Sequence, residues 1–467
     1  MHARRSAFAA FAALALSFPG CDGCDDDDSS GSPPPPAAPS GLAVTLFTSG
    51  RIALGWTDNS PDETGFLVEC SPDGTTWTPV ATLPPDSTSF VHRGLLPLTT
   101  YFYRVSAAGN GGSAPAGPVS QATANLVWQA AAGGGPTARF EHSAVYDAAN
   151  RRMVVYGGDD LIPDIPADTT YQNDVWALDF STLVPTWSAL APGGAAAPYL
   201  ASHSAVYDAA NFRMIVFGGT TSTSMGSTIE NAVWELMLPD DGITAPAWTL
   251  LAPTPDPVDG TPAPRFNHSA VYDSANLRMI VFGGIDGTNS FADAWALSLP
   301  VGGGSPAWTR LADGPQDLHG HSAVYDATGL RMIVFGGNSL TTSTDSNAVH
   351  VLDLPAGALA PSWSTPVPAS ASPPDPRFEH AAVYDPANER MVVFGGQAFF
   401  APVDETWLLP LQGALAFTAA APGGTPTPVA RISHTAVYDP NFERMVVFSG
   451  DDGSFFPVDD AAWPLGF

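Results

Sequence analysis

Lysine is missing from this chain: all 17 basic residues are arginine, set against 46 acidic ones, for a formal charge of −29. A surface of that sign repels phosphate backbones and anionic headgroups, which argues against nucleic acid as a partner. Cysteine is almost missing too, with only Cys21, Cys24 and Cys70, so no disulfide framework exists and stability comes from packing. Cys70 stands alone in a strand pattern and reads as a buried small hydrophobe. No apolar run is long enough to span a bilayer; the run Ala7 to Leu16 is too short. Also lacking are a Gly-x-Ser-x-Gly elbow, a His-Glu-x-x-His pair and a glycine-rich phosphate loop, so no catalytic residue, metal site or cofactor is read from the sequence.

The amino terminus has the layout of a signal peptide over residues 1–20: Arg4 and Arg5, the apolar run, then Ser17-Phe18-Pro19-Gly20-Cys21. Gly20-Cys21 resembles the end of a bacterial lipobox, with Phe18 and Pro19 departing from its usual residues. The resemblance implies lipidation of Cys21, an exported protein held at the periplasmic or cell surface, and membrane association through that anchor alone, with plain secretion as the alternative. Residues 21–38, with Asp25 to Asp28 and Pro33 to Pro36, read as a solvated tether. Their consecutive carboxylates lack the alternating spacing and turn glycine of a calcium loop.

From residue 39 to 124 the pattern becomes short alternating strands with turn clusters, as in a β-sandwich. Strands are expected over 52–56, 65–70, 77–81 and 101–107. The run Leu95-Leu96-Pro97-Leu98-Thr99-Thr100-Tyr101-Phe102-Tyr103-Arg104-Val105, with Trp56 upstream, resembles the fibronectin type III pattern. That likeness implies a corner tyrosine at Tyr101 and a core tryptophan at Trp56. Ser71-Pro72-Asp73-Gly74-Thr75-Thr76-Trp77 looks like a sialidase Asp-box, but it lacks one residue and occurs once, so Asp-Gly reads as a hairpin turn.

The remaining two-thirds is a repeat. Six units share His-(Ser/Ala/Thr)-Ala-Val-Tyr-Asp, four intervening residues and Arg-Met-(Val/Ile)-Val-(Phe/Tyr), followed by Gly-Gly in five and by Ser449-Gly450 in the sixth, beginning at His142, His203, His268, His321, His380 and His434. Their continuous apolar runs, such as Met279-Ile280-Val281-Phe282, argue for strands covered on both faces. The order of His, Arg-Met, Gly-Gly, Trp and Trp looks like the kelch repeat, and the resemblance implies an all-β, six-bladed β-propeller over 125–467 behind the sandwich. The sixth unit ends after its third strand, and an orphan segment at 125–130, with Trp128, is expected to supply its fourth.

The repeat histidines and the repeat arginines 152, 213, 278, 331, 390 and 444 recur in every unit and belong to the fold. Arg139, Arg265, Arg377 and Arg431 stand three residues before His in only four units, with Leu200 and Leu318 in the others. That asymmetry makes them the candidate ligand contacts, with drift of a structural arginine as the other reading. Galactose oxidase shares the kelch propeller, but its copper site needs a cysteine and residues 125–467 have none. The expected function is a non-catalytic binding or scaffold protein, its propeller recognising an extracellular or periplasmic protein or glycan and its type III domain acting as spacer. A carbohydrate-active enzyme is the alternative, since paired acids from distant units leave no local spacing.

Overall fold

The computed structural model describes residues 34–160, 171–223, 226–241, 243–357, 359–454 and 456–467. The leader and Cys21, with its expected lipidation, lie outside the described residues. All regular structure among the described residues is β-strand.

The first body is two facing sheets. Ser40–Phe47, Ile52–Thr57 and Ser89–His92 form one; Thr78–Leu83, Gly65–Ser71, Thr100–Ala108 and Ala116–Ala122 form the other. Alternate residues point inward, so Ile52, Leu54 and Trp56 meet Phe66, Val68, Cys70, Tyr103 and Val105 in one core. Trp56 packs on Phe66 with ring centroids 5.7 Å apart. The Tyr101 hydroxyl accepts the Leu96 amide at 3.1 Å, tying the corner to the turn before it. Cys70 is buried in this core.

Behind it, the six repeat units each build an antiparallel sheet around four main strands. In unit one these are Ser143–Asp147, Arg152–Tyr156, Val175–Asp179 and Thr186–Leu190. The second strands are buried along their whole apolar length, because each sheet is covered on both faces by its neighbours. The six first strands pack side by side in chain order, and Thr435–Asp439 of unit six packs on Ser143–Asp147 of unit one. The short strand Val127–Trp128 pairs with Ala462–Gly466, giving the last sheet its fourth strand. Buried Trp128 meets Phe394 of unit five at 5.1 Å.

Local chemistry fixes each unit. Arg152 Nε donates to Asp147 at 2.8 Å, across the turn between first and second strands, and the equivalent pair recurs in all six units. The glycine pair is steric: Gly158 has φ of 95°, and a Cβ there would lie 2.8 Å from the Phe140 carbonyl. The sandwich leans on the turn side of units five and six. Arg51 pairs with Glu443 at 2.7 Å, Arg93 donates to the Ala387 carbonyl at 2.6 Å, and buried Arg390 donates to Ser49 at 3.0 Å. Loops from second to third and from fourth to first strands emerge on the opposite side.

Candidate functional site

On that loop side the ring narrows to a mouth built from the residue preceding each repeat histidine. Glu141, Ser202, Asn267, Gly320, Glu379 and Ser433 all have φ between 50° and 62°. That backbone turns each amide toward its neighbour: Ser202 donates to Glu141, Asn267 to Ser202, Gly320 to Asn267, Glu379 to Gly320, Ser433 to Glu379 and Glu141 back to Ser433, over 2.6–3.1 Å. Six peptide groups thus form a closed hydrogen-bonded hoop around a cavity of about 130 Å³.

Below the hoop lie the six imidazoles, all buried and all lining the cavity. Five of them bond back to the unit before: His203 to Ser143, His268 to Ser204, His321 to Ser269, His380 to Ser322 and His142 to Thr435, at 2.7–2.8 Å. Unit five carries Ala381 where the others carry a hydroxyl. Neither ring nitrogen of His434 makes a hydrogen bond, although the Phe394 carbonyl favours a proton on the ring. Burial holds His203, His321 and His434 down to about 3, and burial with nearby Arg139, Arg265 and Arg377 holds His142, His268 and His380 well below the ordinary imidazole range. Among the described residues, the group of His, Cys, Asp or Glu close enough to hold an ion lies in the sandwich, not at this ring.

The mouth is electrically lopsided. Glu379 of unit five, Asp451 of unit six, and Glu141 and Asp159 of unit one occupy consecutive sectors, while units two to four place Ser202, Asn267 and Gly320 on the hoop. Burial, then the charges of Glu379, Asp159 and Asp451, push Glu141 up to about 7. Burial likewise raises Glu379, whose carboxylate accepts the Ser433 hydroxyl at 3.0 Å.

The four arginines singled out as ligand contacts are placed otherwise. Arg139, Arg265, Arg377 and Arg431 are each 0% exposed. Arg139 forks onto Asp174 at 2.6 and 3.1 Å and donates to the Gly157 and Thr137 carbonyls; Arg265 does the same with Asp293, Gly283 and Ala263. Arg377 pairs with Glu405, and Arg431 with Asp459. Their donors are spent on the chain itself, which corrects the expectation of a ligand contact. Units two and four, with Leu200 and Leu318 at that place, carry Ala232 and Ala348 where units one and three carry the acid.

What the loop side does expose is aromatic. The hairpin pairing Gln397–Ala398 with Ala401–Pro402 turns through Phe399 and Phe400, at φ of 50° and 65°. Two left-handed residues make the turn that Asn-Gly usually occupies, and a bulky residue there costs of order 1–3 kcal/mol. Phe399 is 74% and Phe400 95% exposed. Leu340 on the unit-four loop and Val429 and Phe456 in unit six are exposed in neighbouring sectors.

The sequence reading passed over these phenylalanines and both glutamates. Adjacent aromatics just after Gly-Gly, outside any strand period, were the signal for the first pair. A glutamate where other units carry Ser, Asn or Gly was the signal for the second.

A family model for the fibronectin type III domain matches residues 37–123, and one for the KLHDC2/KLHL20/DRC7 Kelch-repeats domain matches 119–260. Over 290 residues the chain is 26% identical to the dynein alpha chain of the flagellar outer arm from Chlamydomonas reinhardtii, covering 56% of this chain and 5% of that protein. Over 246 residues it is 28% identical to Adagio-like protein 3 from Oryza sativa subsp. japonica, covering 51% of this chain and 35% of that one. It therefore spans only a minor part of these relatives. Among solved structures, YjhT matches with a TM-score of 0.51 at 14% identity, over 70% of this chain and 95% of that one, which is a likeness of fold. The chain thus carries a fibronectin type III domain followed by a kelch-repeat domain, a domain arrangement of the protein-interaction kind.

Proposed function

We propose that residues 125–467 are a six-bladed propeller whose loop face binds a protein outside the cytoplasm, and that the chain is a non-catalytic, exported binding protein. In this reading Cys21 carries the lipid anchor, residues 21–38 the tether and residues 39–124 the spacer. The spacer's contacts with the turn side support it, because they leave the loop face directed away from the sandwich.

The observation that carries the proposal is Phe399-Phe400. Conformational strain combined with near-complete exposure of two aromatics has no benefit to folding, whereas aromatic anchors dominate interface energetics. A convex hairpin tip fits a concave protein pocket better than it fits a glycan. For the alternative, a carbohydrate-active enzyme, the mouth at about 130 Å³ is below the roughly 300–1,000 Å³ of small-molecule sites. A wider cleft of about 450 Å³, lined by Arg331 and Asp353, offers one carboxylate where glycoside hydrolysis uses two.

The test is a screen of arrayed extracellular proteins and glycans with the wild-type chain and with a Phe399→Asn, Phe400→Gly double variant. A protein ligand lost with that change, while the fold keeps or gains stability, supports the reading. A ligand insensitive to it, one confined to glycans, or a footprint on the turn side around Asp147 and Asn150 overturns it.

A further inference from the structure

We infer that the fibronectin type III domain holds a calcium ion between its loops, at Asp58, Glu63 and Asp86. Asp58 and Glu63 lie on the loop joining Ile52–Thr57 to Gly65–Ser71, and Asp86 on the turn joining Thr78–Leu83 to Ser89–His92. The fold brings these two loops together at one end of the sandwich. One carboxylate oxygen from each residue lies within 4.8 Å of those of the other two.

Acid clusters on an acidic surface are common, and this one is distinguished by Glu63. Its side chain is more than nine-tenths buried, and its oxygens are treated unequally. Oε1 accepts the Asp86 amide at 3.0 Å, whereas Oε2 is buried with no hydrogen-bond donor. A buried carboxyl oxygen without a donor, beside two further carboxyl groups, calls for a cation. The chain supplies none there: no Arg of the described residues is paired with Asp58, Glu63 or Asp86, and Lys is absent.

The donor set selects the ion. Three carboxylates with no thiol or imidazole exclude the soft transition metals, and an irregular site on two loops, completed by water, suits Ca²⁺ better than the strict octahedron of Mg²⁺. With three protein ligands the affinity belongs to the weak class of extracellular modules, about 10⁻⁴–10⁻³ M.

Hydrogen exchange read by mass spectrometry on the full chain gives a local readout, which separates this site from the Asp25 to Asp28 run. Millimolar Ca²⁺ is expected to slow exchange in peptides spanning 58–64 and 84–88, with Mg²⁺ much weaker. Asp58→Asn and Glu63→Gln are expected to abolish the protection, and exposed Asp86→Asn to weaken it severalfold. Should Glu63→Gln misfold, Asp86→Asn carries the test alone. Unchanged exchange in the wild type at about 10 mM Ca²⁺, well above that affinity class, overturns the inference, as does protection that survives in all folded variants.

Discussion

His142 Nε2 lies 2.7 Å from the hydroxyl of Thr435, 293 positions further along the chain. The bond that joins neighbouring units therefore also joins the first to the last, and the peptide hoop repeats the connection with Glu141 and Ser433. Trp128 completes the same seam on the outside, in the strand that pairs with Leu465. Trp128→Ala is expected to cost about 3–5 kcal/mol, the usual range for a buried tryptophan, and Trp128→Phe much less. Denaturant titration of the ring checks this, and an unchanged midpoint for Trp128→Ala refutes the seam.

One junction lacks its bond. Ala381 occupies the hydroxyl position that would serve His434, and Phe394, on which His434 packs at 5.5 Å, is the strand partner of Ala381. Ala381→Ser is expected to add about 1 kcal/mol, a typical net hydrogen bond. The same change should fix the His434 tautomer, seen as a single sharp imidazole set by NMR. No gain in stability, with the ring still unpaired, counts against the account.

Repeat, strands and domain order were legible because each rests on a local period or a recurring motif. The four expected sandwich strands came out within two residues of their positions, while Ser40–Phe47, Ser89–His92 and Ala116–Ala122 went unread; the repeat histidines and arginines were correctly read as parts of the fold. Arg139, Arg265, Arg377 and Arg431 were misread because the argument compared single positions. Asp174 and Asp293 stand just before their third strands, and Ala232 and Ala348 replace them in the two units that carry Leu. Paired loss of arginine and acid marks an internal salt bridge, and comparing the six units two positions at a time exposes it. Phe399 and Phe400 were invisible to periodicity because an exposed turn has none.

That pairing gives a prediction with its control built into the chain. Arg265→Leu alone strands Asp293 and leaves the Gly283 and Ala263 carbonyls without their donor, and removing one partner of a buried ion pair costs about 3 kcal/mol or more. Arg265→Leu with Asp293→Ala reproduces units two and four, and is expected to recover most of that loss. Equal stability of the single and double variants contradicts the internal-pair reading.

The imidazole ring makes stability depend on pH in a stated direction. An unfolded imidazole titrates near 6.5, while His203, His321 and His434 are held at about 3 in the fold and the other three well below their ordinary range. Between about pH 3 and 6.5 the unfolded chain therefore binds protons that the folded chain does not. Stability from these groups is full above pH 6.5 and is lost as the pH falls, by about 1.4 kcal/mol per pH unit for each ring. Glu141 acts with opposite sign: raised to about 7 from 4.5, it stabilises below pH 4.5 and loses that contribution as the pH climbs through 7. Glu379, also raised by burial, acts in the same direction as Glu141; six rings outweigh the two carboxyls, so denaturant midpoints are expected to fall steeply from pH 6.5 to pH 5. His203→Gln should flatten that acid limb by about one proton. Glu141→Gln should steepen the limb and raise stability at pH 7 relative to pH 5. A wild-type midpoint that is the same at pH 5 and pH 6.5 excludes buried neutral imidazoles at the mouth.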